Sequence, residues 1–254
     1  MLALLGVYHR MLFRMGPDAE LSSQVTIAVK TFERPKAVAR FVRCARRVFA
    51  GRIIVADDSR VTWSSKDPLV KVLPLPFNSG VSVGRNVALD AVTTPYVLIT
   101  DDDIVFTHAS RWEGALDYLE HNPDVDGVAA LLIELPRWYS SVHGNQALFS
   151  GHEQPLRAPG EIIDGMPVRL KVPQVYLART ESIRKIRWNE ELRMLDHSDF
   201  FSRAAGKLVF VQAMGLPALH ARTPWNRVYT KYRDDTAQDQ ITLGRLWRRS
   251  QGTA

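Results

Sequence analysis

The sequence predicts an α/β fold: a mostly parallel central sheet flanked by helices on both faces, with a smaller subregion in its second half. Three observations predict it. Short apolar runs alternate with segments whose apolar residues keep helical spacing through the first half of the chain. Polar and acidic clusters fall where those runs end, which is where open α/β sheets bind their ligands. No internal repeat and no low-complexity linker interrupts the alternation.

Taken in order, Val25 to Val29 reads as a short buried strand. Pro35 then opens a helix along Val38, Phe41, Val42, Ala45, Val48 and Phe49, because proline is pre-organised for a first helical position. Ile53 to Ala56 is a second strand ending in Asp57-Asp58-Ser59, and Val70 to Leu75 a third, closed by Pro74 and Pro76. A helix from Ser82 to Val92 precedes a fourth strand, Tyr96 to Thr100, which stops at Asp101-Asp102-Asp103. Helix Ser110 to Asn122 and strand Gly127 to Glu134 continue the pattern. Between Pro136 and Gly160 it breaks into a stretch rich in Gly, Pro, Ser, His and aromatics, too long for an ordinary connection and suited to a binding loop or lid. Beyond it come a strand within Val168 to Ala178, helices near Glu181 to Ile186 and Ser198 to Ala205, and strands near Leu208 to Gln212 and Pro217 to His220.

The 254 residues, 46% apolar and 24% charged, suffice for one sizeable core. No run approaches the roughly 18 to 20 apolar residues that a membrane-crossing helix needs. Met1 to Met15 mixes leucines with His9, Arg10 and Arg14 and lacks a basic start and a small-residue cleavage site. It reads either as an amphipathic segment on anionic lipid or as a terminal helix over the core. Cys44 is the single cysteine, so no internal disulfide forms and a cytoplasmic location is expected, with peripheral contact at the inner membrane face as the alternative. The formal charge of +6 is scattered apart from Arg43, Arg46, Arg47 and Arg245, Arg248, Arg249; neither group sits in a nucleic-acid motif, so no nucleic acid is expected.

The strongest chemical signal is Thr100-Asp101-Asp102-Asp103 at the end of a buried strand. Alternation along an extended chain puts Asp101 and Asp103 on one side and Asp102 on the other. Crowded carboxylates repel unless a cation compensates, and hard Mg²⁺ or Mn²⁺ favours such oxygen ligands together with phosphate oxygens. The competing reading is an acidic turn capping the next helix.

Three more clusters sit at strand ends. Thr31, Phe32 and Arg34 follow the first strand, where Thr31 and Arg34 suit base, ribose or phosphate and the next helix turns its positive end toward an anion. Asp57 and Asp58 offer acceptors for a base imide or ribose hydroxyl, or cap the turn. Asn78 to Asn86 supplies flexible backbone and, in Arg85, a guanidinium suited to diphosphate. This run is neither G-x-G-x-x-G nor a Walker A loop, which removes the main support for NAD and ATP P-loop readings. Later, Asp199 is followed by Phe200 and Phe201, an apolar setting that makes it the best candidate base. Asp196 and Ser198 read as helix caps. His197 orients an acceptor or fills a polar pocket, Trp188 is a further acceptor candidate, and His220, ending a late strand, is a metal partner or structural.

With these residues in view the chain resembles the GT-A (Rossmann-like) glycosyltransferases of the family-2 type, and within them the β-1,4-N-acetylgalactosaminyltransferase group. The likeness runs from about Val25 to Asp235 through Lys-Thr-Phe-x-Arg at 30 to 34, Ala-Asp-Asp-Ser at 56 to 59, Gly-Arg-Asn at 84 to 86, Asp-Asp-Asp at 101 to 103, Leu-Ala-Arg-Thr at 177 to 180 and His-x-Asp-Phe-Phe at 197 to 201. The resemblance implies that Thr31, Phe32, Arg34, Asp57, Asp58, Arg85, Asn86, Asp101 and Asp102 hold a nucleotide sugar, Asp57 and Asp58 on the uridine. It implies a Mn²⁺ or Mg²⁺ ion on Asp101, Asp103 and His220, and Asp199 as the base of an inverting displacement. The donor it implies is a UDP-sugar, an N-acetylhexosamine such as GalNAc or GlcNAc, and the acceptor a hydroxyl of a glycan or glycolipid.

Two departures stand out. Many relatives carry an acidic residue where this chain has Ser198, and animal relatives carry an amino-terminal membrane anchor, so Golgi residence does not transfer. The division expected is an extension over 1–24, a catalytic domain over 25–222 with its nucleotide-sugar half at 25–135 and its acceptor half at 136–222, and a basic aromatic tail over 223–254, whose Trp225, Tyr229, Tyr232 and Trp247 either close over the donor, touch a membrane-bound acceptor or pack across the back of the domain. Two other functions compete: a sugar-phosphate nucleotidyltransferase, which needs a Gly-rich triphosphate loop where this chain has Lys30-Thr31-Phe32, and a non-catalytic carbohydrate-binding or scaffold protein.

Overall fold

The computed structural model describes residues 18–141, 148–222 and 226–248; the Met1 to Met15 segment and Trp225 lie outside them. A short helix α1 (Ala19–Gln24) is capped by Asp18, whose carboxylate accepts from Leu21 N at 2.8 Å, and leads into β1 (Val25–Thr31), buried along its whole length. Helix α2 (Pro35–Ala45), β2 (Arg52–Asp57), β3 (Val70–Pro74), α3 (Val81–Asp90) and β4 (Tyr96–Asp101) follow. Strands β1, β2, β3 and β4 are parallel, and β1 lies between β2 and β4. The chain therefore winds outward from β1 to β3 and returns to the other side of β1. That reversal opens a crevice at the carboxyl ends of β1 and β4.

Alternation along the strands divides the core. Ile27, Val29, Ile53, Val55 and Leu98 join Val38 and Phe41 of α2 on one face; Ala28, Ile54, Val97 and Ile99 join Ala88 and Leu89 of α3 on the other. Phe41 is fully buried, so truncating it to alanine costs about 3–5 kcal/mol.

The second half departs from simple alternation. After β5 (Ile104–Val105), α4 (Glu113–His121) and β6 (Gly127–Glu134), the polar stretch expected as one long loop contains a short strand, β7 (Tyr139–Ser141), and two more follow it, β8 (Ile162–Ile163) and β9 (Met166–Pro167). Strand β10 (Tyr176–Arg179) covers only the end of its expected span and runs antiparallel between β4 and β6. Helices α5 (Thr180–Ile186) and α6 (Asp196–Ala204) match expectation closely. The two late strands are one, β11 (Phe210–His220), whose register on β6 shifts between Ala213 and Pro217 because proline lacks the N–H the ladder needs. The sheet order is β3-β2-β1-β4-β10-β6-β11-β5, with β7 on β6. Beyond it lie α7 (Arg227–Arg233) and α8 (Ala237–Arg248), which the sequence reading leaves as a tail. Among the described residues no helix is long and apolar enough to cross a membrane.

Candidate active site

A cavity of about 280 Å³ opens in the crevice, lined by Lys30 at the end of β1, Asp101 and Asp103 at the end of β4, Arg85 of α3, and Asp196 and His197 at the start of α6. His220, ending β11, closes one side, and Phe32, Tyr229 and Tyr232 another. Asn78, with φ 56°, and Gly80, with φ 103°, turn the loop after β3 sharply into α3. A side chain at position 80 would be strained by that φ, and its Cβ would lie 3.0 Å from Arg193 Cα.

Buried ion pairs organise the floor. Arg34 donates through Nη1 to Asp103 Oδ2 at 2.8 Å and through Nη2 to Asp102 Oδ1, while Thr31 Oγ1 donates to Asp102 Oδ2 at 2.6 Å. Arg85 bridges Asp101, at 2.7 Å, and Asp196. Lys30 pairs with Asp58, whose second oxygen accepts from Gly80 N at 3.0 Å. His220 stands between Asp103, 3.4 Å from its Nε2, and Glu134, 3.0 Å from its Nδ1; Arg222 holds the same Glu134.

Burial and charge set the acidities. Asp102 is pushed up to about 6, because burial outweighs the opposing Arg34 charge and neighbouring Asp103 adds to it. Burial also acts on Asp103, but hydrogen bonds and charges from His220 and Arg34 win, holding its carboxyl well below the usual range. His220 is raised: burial lowers it, and the Asp103 and Glu134 carboxylates more than offset that. Asp196 is raised by burial against the Arg85 charge.

Asp101, Asp103, Phe32, Arg34, Arg85, His197 and His220 meet at the cavity as expected from sequence. Asp102 turns the other way, into Thr31 and Arg34. Other expected contacts are placed elsewhere. Asp57 is fully buried and accepts from Ser59 N at 2.9 Å and Trp63 N at 2.7 Å, a turn-closing role; neither it nor Asp58 lines the cavity. Asn86 donates to Trp188 O at 2.9 Å and accepts from Trp188 N at 2.9 Å, tying α3 to the segment before α6. Trp188 is buried and stacks on Phe200, with centroids 4.9 Å apart, so it presents no surface to an acceptor.

Asp199, the expected base, is 1% exposed. It accepts from Arg203 Nε at 2.8 Å and Trp247 Nε1 at 3.0 Å, and it does not line the cavity. Asp196, one helical turn earlier, does.

Other lining residues carried no assigned role in the sequence, although Lys30 belongs to the cluster after the first strand and Tyr229 and Tyr232 to the aromatic tail. Lys30 is paired inward, and Tyr229 and Tyr232 come from α7; the guanidinium of Arg34 lies 4.0 Å from the Tyr229 ring centroid, and Phe32 packs edge-on against Tyr232 at 5.3 Å. Both amide atoms of Gln174 are buried at the cavity wall without a hydrogen-bond partner among the described residues. Its neighbour Tyr176 carried the strand signal; Gln174 itself carried none.

A divalent cation fits part of the set expected for it. Among the described residues no three His, Cys, Asp or Glu groups converge as a closed cage. Asp103, held by Arg34 through Oδ2, faces His220 with its other oxygen at the cavity, while Asp101 is held by Arg85. Such ions commonly take one or two protein carboxylates and complete their shell with water and substrate phosphates. The buried pairs set Asp58, Asp101, Asp102, Asp103 and Asp196 against Lys30, Arg34 and Arg85, and Arg233 adds a further cation to the cavity lining.

Known proteins agree with this architecture. The model of the family described as "Glycosyl transferase family 2" matches residues 26–161. Mouse β-1,4 N-acetylgalactosaminyltransferase 2 is 31% identical over 247 residues, covering 89% of this chain, and human β-1,4 N-acetylgalactosaminyltransferase 1 is 28% identical over 255, covering 91%. The chain spans about half, 46%, of the length of these relatives. Among solved structures, S. aureus TarS 1-349 in complex with UDP-GlcNAc superposes with a TM-score of 0.57 at 16% identity, over 79% of this chain and 59% of that one. GalNAc-T7 with UDP, GalNAc and Mn²⁺ superposes with a TM-score of 0.59 at 10% identity, over 82% and 48%. The fold is GT-A, a curled and mostly parallel sheet between helices. With more than half its length matched by the family model, this chain belongs to glycosyl transferase family 2.

Proposed function

We propose that this chain transfers an N-acetylhexosamine from a UDP-sugar to a hydroxyl of a glycan or glycolipid, inverting the anomeric centre. One observation carries the reading: the Asp103–His220 pair and a buried carboxylate with raised pKa, Asp196, converge on a single cavity at the carboxyl edge of the sheet. The relatives named as N-acetylgalactosaminyltransferases support the sugar class.

The donor's diphosphate would lie over the carboxylate-rich floor, its base toward Phe32 and Tyr232. Mn²⁺ or Mg²⁺ on Asp103 and His220 would supply the positive charge that a departing nucleoside diphosphate requires. The base role passes from Asp199 to Asp196, because Asp199 is turned to Arg203 and Trp247. Arg85 holds Asp196 Oδ2, and the carboxylate accepts the proton of the acceptor hydroxyl as its oxygen attacks the anomeric carbon and the bond to UDP breaks. Burial keeps Asp196 basic against the Arg85 charge, which suits it to that transfer. Arg85, between Asp196 and Asp101, sets the distance of the base from the β4 carboxylates.

The test is thermal stabilisation with and without Mn²⁺, followed by a turnover screen of UDP-sugars. Stabilisation by UDP that depends on Mn²⁺, with turnover of a UDP-N-acetylhexosamine, supports the reading. Stabilisation by UTP with a sugar phosphate but not by UDP would point to a nucleotidyltransferase instead.

A further inference from the structure

Helix α8 lies outside the matched stretch 26–161, yet it reaches the segment that presents Asp196. Asp239, in its first turn, is 2% exposed. One carboxylate oxygen accepts from Arg193 N at 3.0 Å; the other accepts from Met194 N at 2.6 Å and Leu195 N at 2.8 Å. These are the three residues immediately before Asp196. Helix α6 has no side-chain cap of its own, since Leu195 occupies the N-cap position. A carboxylate 44 to 46 residues downstream therefore orders its approach.

The same turn grips the helix that carries Arg85. Val81 N donates to Arg193 O at 2.8 Å, Arg193 Nη2 donates to Asn78 O, and Gly80 abuts the Arg193 backbone. At its far end α8 holds α6 again, through Trp247 Nε1 on Asp199, and the Trp247 ring stacks 5.4 Å from Phe149, whose backbone N–H donates to Ser202 Oγ of α6 at 2.9 Å.

We propose that Asp239 is a positioning residue for the transfer reaction: it fixes the 193–195 turn and through it the mutual orientation of Asp196 and Arg85, without lining the cavity. This rests on Asp196 being the base. Only a carboxylate serves all three N–H donors, because an asparagine of equal size has one oxygen and turns two N–H groups of its own toward them.

The experiment is a double-mutant cycle, Asp239→Asn against Asp196→Asn, scored by UDP release from the UDP-N-acetylhexosamine that the wild type turns over. Asp239→Asn should lower kcat about 10- to 100-fold, the effect of displacing a reacting group by about an ångström. KM for the donor should stay within about twofold, and the double variant should be no slower than Asp196→Asn alone. Wild-type kcat in Asp239→Asn, or losses that multiply in the double variant, would overturn the proposal. Should Asp239→Asn fail to fold, Trp247→Phe probes the other end of the brace: a several-fold fall in kcat at unchanged KM supports it, and wild-type kcat overturns it. Failure of the underlying reading is distinct, since it shows as a wild type inert toward UDP-sugars or an Asp196→Asn variant with full turnover, and either removes the group Asp239 would position.

Discussion

Replacing Arg34 with methionine, which preserves the aliphatic stem, leaves Asp102 and Asp103 without their shared guanidinium. Arg34 is 8% exposed, Asp102 0% and Asp103 3%, so water cannot substitute for the lost partner. Breaking a buried pair by removing one member costs about 3–5 kcal/mol. The cost does not double for two carboxylates. Asp103 keeps His220, and Asp102, already at about 6, takes up a proton when its cation goes. For a chain of this size each kcal/mol moves the midpoint by about 2–4 °C, so the variant should melt about 6–20 °C below the wild type at pH 7 by calorimetry. The gap should narrow on acidification. Without Arg34 the folded pKa of Asp102 rises further above its unfolded value near 3.9, so its destabilising effect is full above the folded pKa, fades as pH falls through it and vanishes below about 3.9. Arg157→Met serves as the contrast: its pairs with Asp124 at 3.3 Å and Glu161 at 3.4 Å are held by a side chain 42% exposed, worth about 0–1 kcal/mol each. Equal melting of Arg34→Met and wild type at pH 7, or a gap that does not change with pH, would refute the argument.

Further expectations are open to simpler measurements. Asp196→Asn should lower turnover about 10²- to 10⁴-fold while calorimetry shows UDP binding within a few-fold of wild type; Asp199→Asn should lower thermal stability more than turnover. His220 has a raised folded pKa, so its protonated form contributes stability that is full below about 6.5 and lost as pH rises through the folded value. The melting difference between wild type and His220→Gln should thus be larger at pH 6 than at pH 9, and stabilisation by Mn²⁺, which needs neutral imidazole, should grow over the same rise. Gly84→Ala would place a Cβ 2.4 Å from Lys30 Cγ, near the root of that side chain, and should cost about 1–3 kcal/mol by denaturant titration as the Lys30–Asp58 pair is displaced.

The parallel half of the sheet was legible because β1, β2 and β4 are apolar runs bounded by polar clusters, and burial on both faces requires that. Strand direction was not legible. Tyr176 to Arg179 has the composition of its parallel neighbours, and only the connections around it dictate that it runs the other way. The carboxylates show the same limit at the site. A turn-closing aspartate such as Asp57 and a cavity-lining one such as Asp103 are the same residue type at the same kind of strand end, and tertiary partners separate them. Asp199 did carry a usable signal: Arg203 stands four residues on, the spacing of a helical ion pair, which argues for a carboxylate already engaged. Asp196 has Arg193 three residues before it, but that guanidinium turns to Asn78 O, and Arg85 reaches Asp196 from 111 residues away. The aromatics of the tail stood out in the sequence, but which of their readings applies did not: Tyr229 meets Arg34 and Asp239 meets the 193–195 turn, and neither contact leaves a pattern of its own.

The contacts of Arg85 with Asp196, and of Asn86 with Trp188 and Glu190, all cross from the matched stretch to the part of the chain beyond residue 161. A chimera joined near that point would take the cavity floor from one parent and the opposing wall from another. Its success would hang on this seam: a parent lacking a basic residue at 85 would leave Asp196 of the other stranded in a dry interior, while one that kept Arg85 and Asn86 would accept a foreign wall with its inner electrostatics intact.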